Sequence, residues 1–203
     1  MDKNFLNKLA RVTSTVFIPP SFTVFIFTYF AFSLENSPSL KLFVILTALV
    51  FGFLLHIILF LYFRRKGRLV DLDASIKEER TVPFLISIIF YAAGLFILYF
   101  LNASPVSIAF WFCYISNTLL VVIINKLWKI SVHSMGASGP LAALFFAIGP
   151  PSLFIIPLVL LVGWSRVRLK CHTPAQVTAG LLFGFFSTYV QMIIITAFLH
   201  YAR

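Results

Sequence analysis

The chain has 203 residues, of which 61% are hydrophobic and only 11% charged, with a formal net charge of +10. A soluble domain is about half apolar and about a quarter charged, so the composition excludes an ordinary soluble fold. The basic residues sit in short connections between apolar stretches, where they set topology or meet anionic lipid and phosphate; nucleic acid is not the expected partner.

A membrane-spanning helix needs roughly 20 apolar residues, which leaves room for six or seven spans and no separate soluble domain. Residues 1–203 are therefore read as a single all-α, polytopic transmembrane helix bundle. The first ten residues, with Asp2, Lys3 and Lys8, lead into helix 1 at 12–34 without a small-residue cleavage site. This pattern fits an uncleaved first helix rather than a signal peptide. Pro19-Pro20 predicts a kink there, tolerated where neighbouring helices satisfy the freed backbone groups. Helix 2 is predicted at 41–63, followed by a charged segment, 64–82. Pro83 opens helix 3, which runs to Leu101, and helix 4 runs from Pro105 to Lys126. A polar stretch, Lys129–Gly139, precedes helix 5, which ends at Ile148. Gly149-Pro150-Pro151 breaks the chain before helix 6 at 152–165. After the basic segment Arg166–Cys171, Thr173-Pro174 opens helix 7, which ends near His200. Helices 5 and 6 are short for full spans.

Seven spans place the N-terminus, 64–82, 127–135 and 166–173 on one side, which then carries every Lys and Arg except Lys41 and Arg203. The positive-inside rule makes this face cytoplasmic, in a plasma or inner membrane. The two cysteines, Cys113 and Cys171, form no CxxC pair, so a disulfide scaffold or zinc ribbon is not expected. His56 lies alone within helix 2 and reads as a hydrogen-bonded packing residue. Asp71 and Asp73 read as neutralising Arg64–Arg68, the other reading being half of a magnesium-diphosphate site. Gly180-xxx-Gly184 predicts close helix packing.

Three polar clusters fall on the basic face: Lys77-Glu78-Glu79-Arg80 with Pro83, Lys129-Ile-Ser131-Val-His133-Ser134-Met-Gly136, and Ser165-Arg166 through His172-Thr173-Pro174-Ala-Gln176. Arginine is the planar, permanently charged clamp for a phosphoryl group. Histidine attacks phosphorus or moves a proton near neutral pH. Thr173 fits a helix N-cap with Pro174 at the first helical position, which places His172 just outside a helix N-terminus, where an anion is favoured. His133 likewise precedes a helix start, with Ser131 or Ser134 as the cap. The residues thus describe a phosphate site with two histidines. The two histidines have no third His, Cys or carboxylate at metal-ligand spacing.

The third cluster resembles the last motif of the type 2 phosphatidic acid phosphatase superfamily, which reads Ser-Arg, five residues, His, three residues, Asp. Here Ser165-Arg166 is followed after five residues by His172 and after three more by Gln176. Ile130-Ser131-Val132-His133 is similar to the family's Pro-Ser-Gly-His, and Lys77, Arg80 and Pro83 are a compressed counterpart of its Lys, six residues, Arg-Pro. The resemblance covers about residues 71–190; the first two helices, within 1–63, carry no part of it. It implies a metal-independent, cofactor-free lipid phosphatase or diphosphatase acting on a polyprenyl diphosphate or a phosphatidate-like lipid. It implies His172 as nucleophile through a phosphohistidine and His133 as general acid. Lys77, Arg80 and Arg166 would hold the phosphoryl oxygens, with Ser131 and the neighbouring Ser134 assisting.

Gln176 stands where the family has an aspartate that orients the nucleophilic imidazole. Either it accepts from that imidazole, without supplying charge, or it closes a capping box on Thr173. Val132 replaces the family's glycine. These departures keep open a second reading, a lipid-phosphate binder or flippase that has lost turnover. A membrane prenyltransferase needs two Asp-rich metal sites, and the chain has only Asp2, Asp71 and Asp73.

Overall fold

The structure is a computed structural model that describes residues 2–70 and 76–202. Asp71 and Asp73 lie outside the described residues. Eight helices follow one another: α1 (Lys3–Val16), α2 (Pro19–Leu34), α3 (Pro38–Arg65), α4 (Thr81–Phe100), α5 (Pro105–Leu127), α6 (Val132–Ile148), α7 (Ile156–Arg168) and α8 (Pro174–Ala202). Short 3-10 turns, Glu78–Arg80 and Pro150–Ile155, lead into α4 and α7. The all-α bundle expected from composition is what forms.

Among the described residues five helices are long and apolar enough to cross a membrane, or up to 6 if the bent pair α1–α2 is one span. The protein is thus an integral membrane protein. The expected helix 1 is in fact two helices bent by 59°. Pro19 and Pro20 open α2, and the chain before them forms its own helix, capped by Asp2, whose side chain accepts from the Asn4 amide at 2.9 Å. Proline is favoured at the first helical position, which explains a break there rather than a gentle kink. The expected helix 5 is longer than its apolar part, because α6 begins at Val132 and absorbs the polar stretch before Gly139. At 17 residues it is still shorter than a full span.

Small residues let α6 and α8 approach closely. A β-carbon added to Gly180 would lie 2.6 Å from the Ser131 carbonyl oxygen, and one on Gly184 would lie 2.8 Å from Met135 Cα. The Gly180-xxx-Gly184 expectation is met. Gly149 closes α6 with φ 68 and its amide on Phe145 O at 2.9 Å, a positive-φ conformation that glycine adopts at little cost.

The opposite ends of the bundle are held differently. At the end carrying the 35–37 and 101–104 connections, the buried Glu35 carboxylate accepts from the Ser104 amide at 3.1 Å and the Ser107 hydroxyl at 2.9 Å. That satisfies a buried charge at the start of α5, where the helix dipole favours it. In the interior, Phe27, Phe30, Phe110, Trp111 and Tyr91 form an aromatic core, and the Trp111 indole N–H donates to Tyr91 O at 2.7 Å. The outer faces carry exposed apolar side chains such as Phe32, Ile89, Phe96 and Phe198, as helices facing lipid do.

Candidate functional site

Residues 76–80 and the connections 128–131 and 169–173 meet at the other end of the bundle together with α1. The three polar clusters are stitched to one another there. Arg80 Nη1 donates to Ile130 O at 3.4 Å, tying the first cluster to the second, and Lys77 Nζ donates to Lys126 O, at the end of α5, at 3.3 Å. Lys129 Nζ donates to Cys171 O at 2.7 Å and the Ser131 amide to Gln176 O at 3.3 Å, tying the second to the third.

The spacing from Ser165-Arg166 to His172 has a local cause. Helix α7 ends with Lys170 in the left-handed region, φ 57, and the chain turns back on itself. The amides of Cys171 and His172 then both donate to Arg166 O, at 3.0 and 3.3 Å. Five intervening residues are what this closure needs, and it fixes the His172 backbone on the Arg166 backbone. Helix α8 begins two residues later, with Thr173 Oγ1 accepting from the Gln176 amide at 3.3 Å.

Gln176 does both of the things expected of it as alternatives. Its Oε1 lies 3.1 Å from His172 Nδ1 and also accepts from the Thr173 amide at 3.1 Å. The capping box therefore holds the same oxygen that orients the imidazole. With Nδ1 engaged as the donor, Nε2 carries the lone pair. His172 is only 6% exposed, and its pKa is pushed down to about 3. Burial is the largest cause, followed by the positive charges of Arg80, Lys129 and Arg166; the Gln176 hydrogen bond opposes them. The imidazole is thus neutral across the physiological range.

Arg166 is fully buried, and its Nη1 donates to the Ser14 hydroxyl of α1. Arg80 is 3% exposed. Both guanidinium groups act on His172, as does Lys129. A concentration of buried and half-buried cations around a neutral imidazole favours a phosphoryl group, to which guanidinium is geometrically matched. His133, half-buried in the first turn of α6, lines the same cavity as His172 and Arg80. Ser131 caps α6: its hydroxyl oxygen accepts from the Ser134 hydroxyl at 2.8 Å and from the Ser134 amide at 3.4 Å. Both serines are buried and neither lines the cavity, so their observed role is to set the start of the helix that carries His133.

Lys77 stands apart from this group. Its ammonium is spent on Lys126 O and on Glu78, 3.7 Å away, and the charges acting on His172 are those of Arg80, Lys129 and Arg166. Sequence reasoning missed two contributors. Lys129 was visible in the second cluster but carried no family counterpart. Ser14 lies 152 positions from Arg166 and has no signal in the sequence. The first helices, which carry none of the resemblance, therefore build part of the site. Glu79 accepts from the Val70 amide at 3.0 Å and Glu78 pairs with Lys77. Among the described residues no group of three or more His, Cys, Asp or Glu side chains is placed to hold a metal ion.

His172, His133 and Arg80 open onto a cavity of about 600 Å³ that continues into the bundle interior. Below them its wall is largely apolar, with Phe53, Phe60, Phe84 and Phe110 among its residues. His56 lines it as well, its ring 4.5 Å from that of Tyr91 and with neither ring nitrogen hydrogen-bonded. The expectation of a hydrogen-bonded packing histidine is therefore met only in the packing.

No known family model matches the chain, and no curated protein or solved structure does.

Proposed function

We propose that the protein is a membrane lipid phosphatase or diphosphatase that works through a phosphohistidine on His172. The observation that carries this reading is the neutral, buried His172, oriented through Nδ1 and surrounded by Arg80, Lys129 and Arg166, at the head of an apolar cavity. The resemblance of the three clusters to the type 2 phosphatidic acid phosphatase superfamily supports it.

In this mechanism Arg80, which lines the cavity, holds the phosphoryl oxygens, and Arg166 and Lys129 add positive charge behind them. His172 Nε2 attacks phosphorus; the P–N bond forms as the bond to the lipid oxygen breaks. His133 gives that oxygen its proton, and the lipid alcohol or monophosphate leaves. His133 then takes a proton from water as the water oxygen attacks phosphorus. The P–N bond breaks, inorganic phosphate departs and the Nε2 lone pair is restored. Gln176 keeps the proton on Nδ1 throughout and accepts it in a hydrogen bond. The basic end of the bundle faces the cytoplasm in this reading, since it carries nearly all of the Lys and Arg.

The test is phosphate release by detergent-solubilised protein from lipid phosphates and diphosphates in EDTA, comparing wild type with His172→Ala. The reading requires EDTA-resistant release that the variant lacks. Release that survives in His172→Ala, or that EDTA abolishes, refutes it. Tight binding of lipid phosphate with no release would favour the second reading, a binder or flippase, for which the neutral Gln176 is the specific observation.

A further inference from the structure

The cavity below His172 has a depth, a volume and a floor, and together these limit what lies in it. Arg80 and Tyr91 both line it. Tyr91 lies eleven residue steps along the helix from Arg80, about 16 Å along the axis at 1.5 Å per residue. One leaflet of a bilayer's hydrocarbon core is about 15 Å deep. The cavity thus runs from the polar end of the bundle to about the bilayer midplane.

There it stops. Tyr91 and Tyr114 stack with ring centroids 5.1 Å apart, and Phe110 lies 5.0 Å from Tyr114. All three line the cavity. Behind them Trp111 is fully buried, locked by its bond to Tyr91 O and seated in the space that Gly94 leaves for it. This floor belongs to the aromatic core and yields only if the core repacks. The side wall is different. Val16 at the α1–α2 bend and Leu61 of α3 both line the cavity, yet they are 48% and 41% exposed. The cavity therefore opens sideways, between the bend and α3, to the surface that faces lipid.

A methylene group fills about as much liquid volume as a water molecule, ~30 Å³, so this cavity holds roughly twenty carbons. That is one lipid chain, too little for two full acyl chains or for a long polyprenyl chain. We infer that the cavity is the binding site for a single hydrocarbon chain of the lipid phosphate, entered sideways from the bilayer and closed by an aromatic floor that limits chain length. This rests on the phosphatase reading for its headgroup end. It selects single-chain lipid phosphates and short prenyl diphosphates as the substrate class.

The test uses the intact protein and hexadecyl phosphate carrying a photoreactive diazirine at the chain end. Irradiation should label the floor peptides that contain Tyr91, Phe110, Cys113 and Tyr114. Label confined to the outward residues of α4, Ile89 and Phe96, would overturn the inference. In parallel, turnover of octyl, dodecyl, hexadecyl and docosyl phosphates is compared. Docosyl phosphate should fall behind hexadecyl by roughly tenfold in kcat/KM, the scale on which pockets reject misfit chains. Equal rates for both would also overturn it. Ser87→Phe puts a ring across the shaft between Phe84 and Tyr91 and should move the preference towards octyl phosphate; an unchanged preference counts against the inference. Floor labelling with no phosphate release would leave the chain site standing and remove the phosphatase reading. Release with outward labelling would do the reverse.

Discussion

Gln176→Glu isolates the atom that orients His172, the proposed nucleophile. Glutamate has the shape of glutamine, so its carboxylate oxygen takes the place of Oε1, 3.1 Å from His172 Nδ1 and 3.1 Å from the Thr173 amide. The cap is kept and one negative charge is added. At about 4 Å and an effective dielectric near 20, unit charges attract by about 4 kcal/mol. Arg80, Lys129 and Arg166 share the new charge with the imidazole. The rise in the His172 pKa should then be that of an ordinary opposite-charge neighbour, about 1–3 units. Starting from about 3, the group reaches roughly 4 to 6 and is still neutral at pH 7. Its attack is therefore not lost, while the positive charge that grows on the ring as the P–N bond forms is stabilised. If half of that charge is developed in the transition state, the gain is about 0.7–2 kcal/mol, a rate increase of about 3- to 30-fold. The assay is initial phosphate release from hexadecyl phosphate in detergent between about pH 2.5 and 9, a range that brackets the wild-type group. The acid limb of the pH profile should move to higher pH and kcat at pH 7 should rise. An acid limb that stays in place would refute the placement of Gln176 on the nucleophile.

His133→Ala should slow release of an alkyl leaving group by about 10²–10⁴-fold, the usual worth of a general acid. The loss should be much smaller for an activated aryl phosphate, and equal losses would remove its acid role. Ser14→Ala leaves the buried Arg166 Nη1 without its hydroxyl partner. A charged hydrogen bond is worth about 1.5–3 kcal/mol, so KM should rise roughly tenfold or more with kcat little changed, and Ser14→Thr should restore it. Gly184→Val drives a β-carbon into Met135, 2.8 Å from its Cα, and should cost about 1–3 kcal/mol, read as a lower Tm in detergent. Stability should fall as pH drops from about 6.5 towards 3, because the unfolded chain takes up a proton at His172 that the folded site refuses. His172→Asn should flatten that part of the denaturation profile.

The apolar stretches and their Pro and Gly punctuation located the spanning helices to within a few residues, because lipid-facing surface is written along the chain. Residues 132–139 show where that signal fails. Val132-His-Ser-Met-Gly-Ala-Ser-Gly has the composition of a loop, yet all of it is helical. Its small side chains are there for packing, and Ser134, Met135, Ala137, Ser138 and Gly139 are buried. A hydropathy pattern reports what faces lipid; a helix whose faces meet other helices needs only to be thin.

The same distinction separates what was legible in the site from what was not. His172, Arg166 and Gln176 belong to one turn and could be read together, since the closure of α7 onto Arg166 O and the start of α8 are local events. Lys77 and Lys129 are a different case. Both are basic, both adjoin a helix end, and motif order favoured Lys77. Which one acts on His172 is decided by tertiary placement: Lys77 is spent on Lys126 O, while Lys129 is held on Cys171 O, next to His172 in the chain. Ser14 is further still from any local rule. It reaches Arg166 because the chain before Pro19 forms a separate helix, bent by 59° from α2 and packed against α7. The cavity follows from the same bend, since Val16, Ile18, Pro19 and Pro20 form its wall. A segment with no motif of its own therefore holds Arg166 and shapes the cavity, which is why, on the proposed function, changes in residues 10–20 should alter substrate selection as strongly as changes beside the histidines.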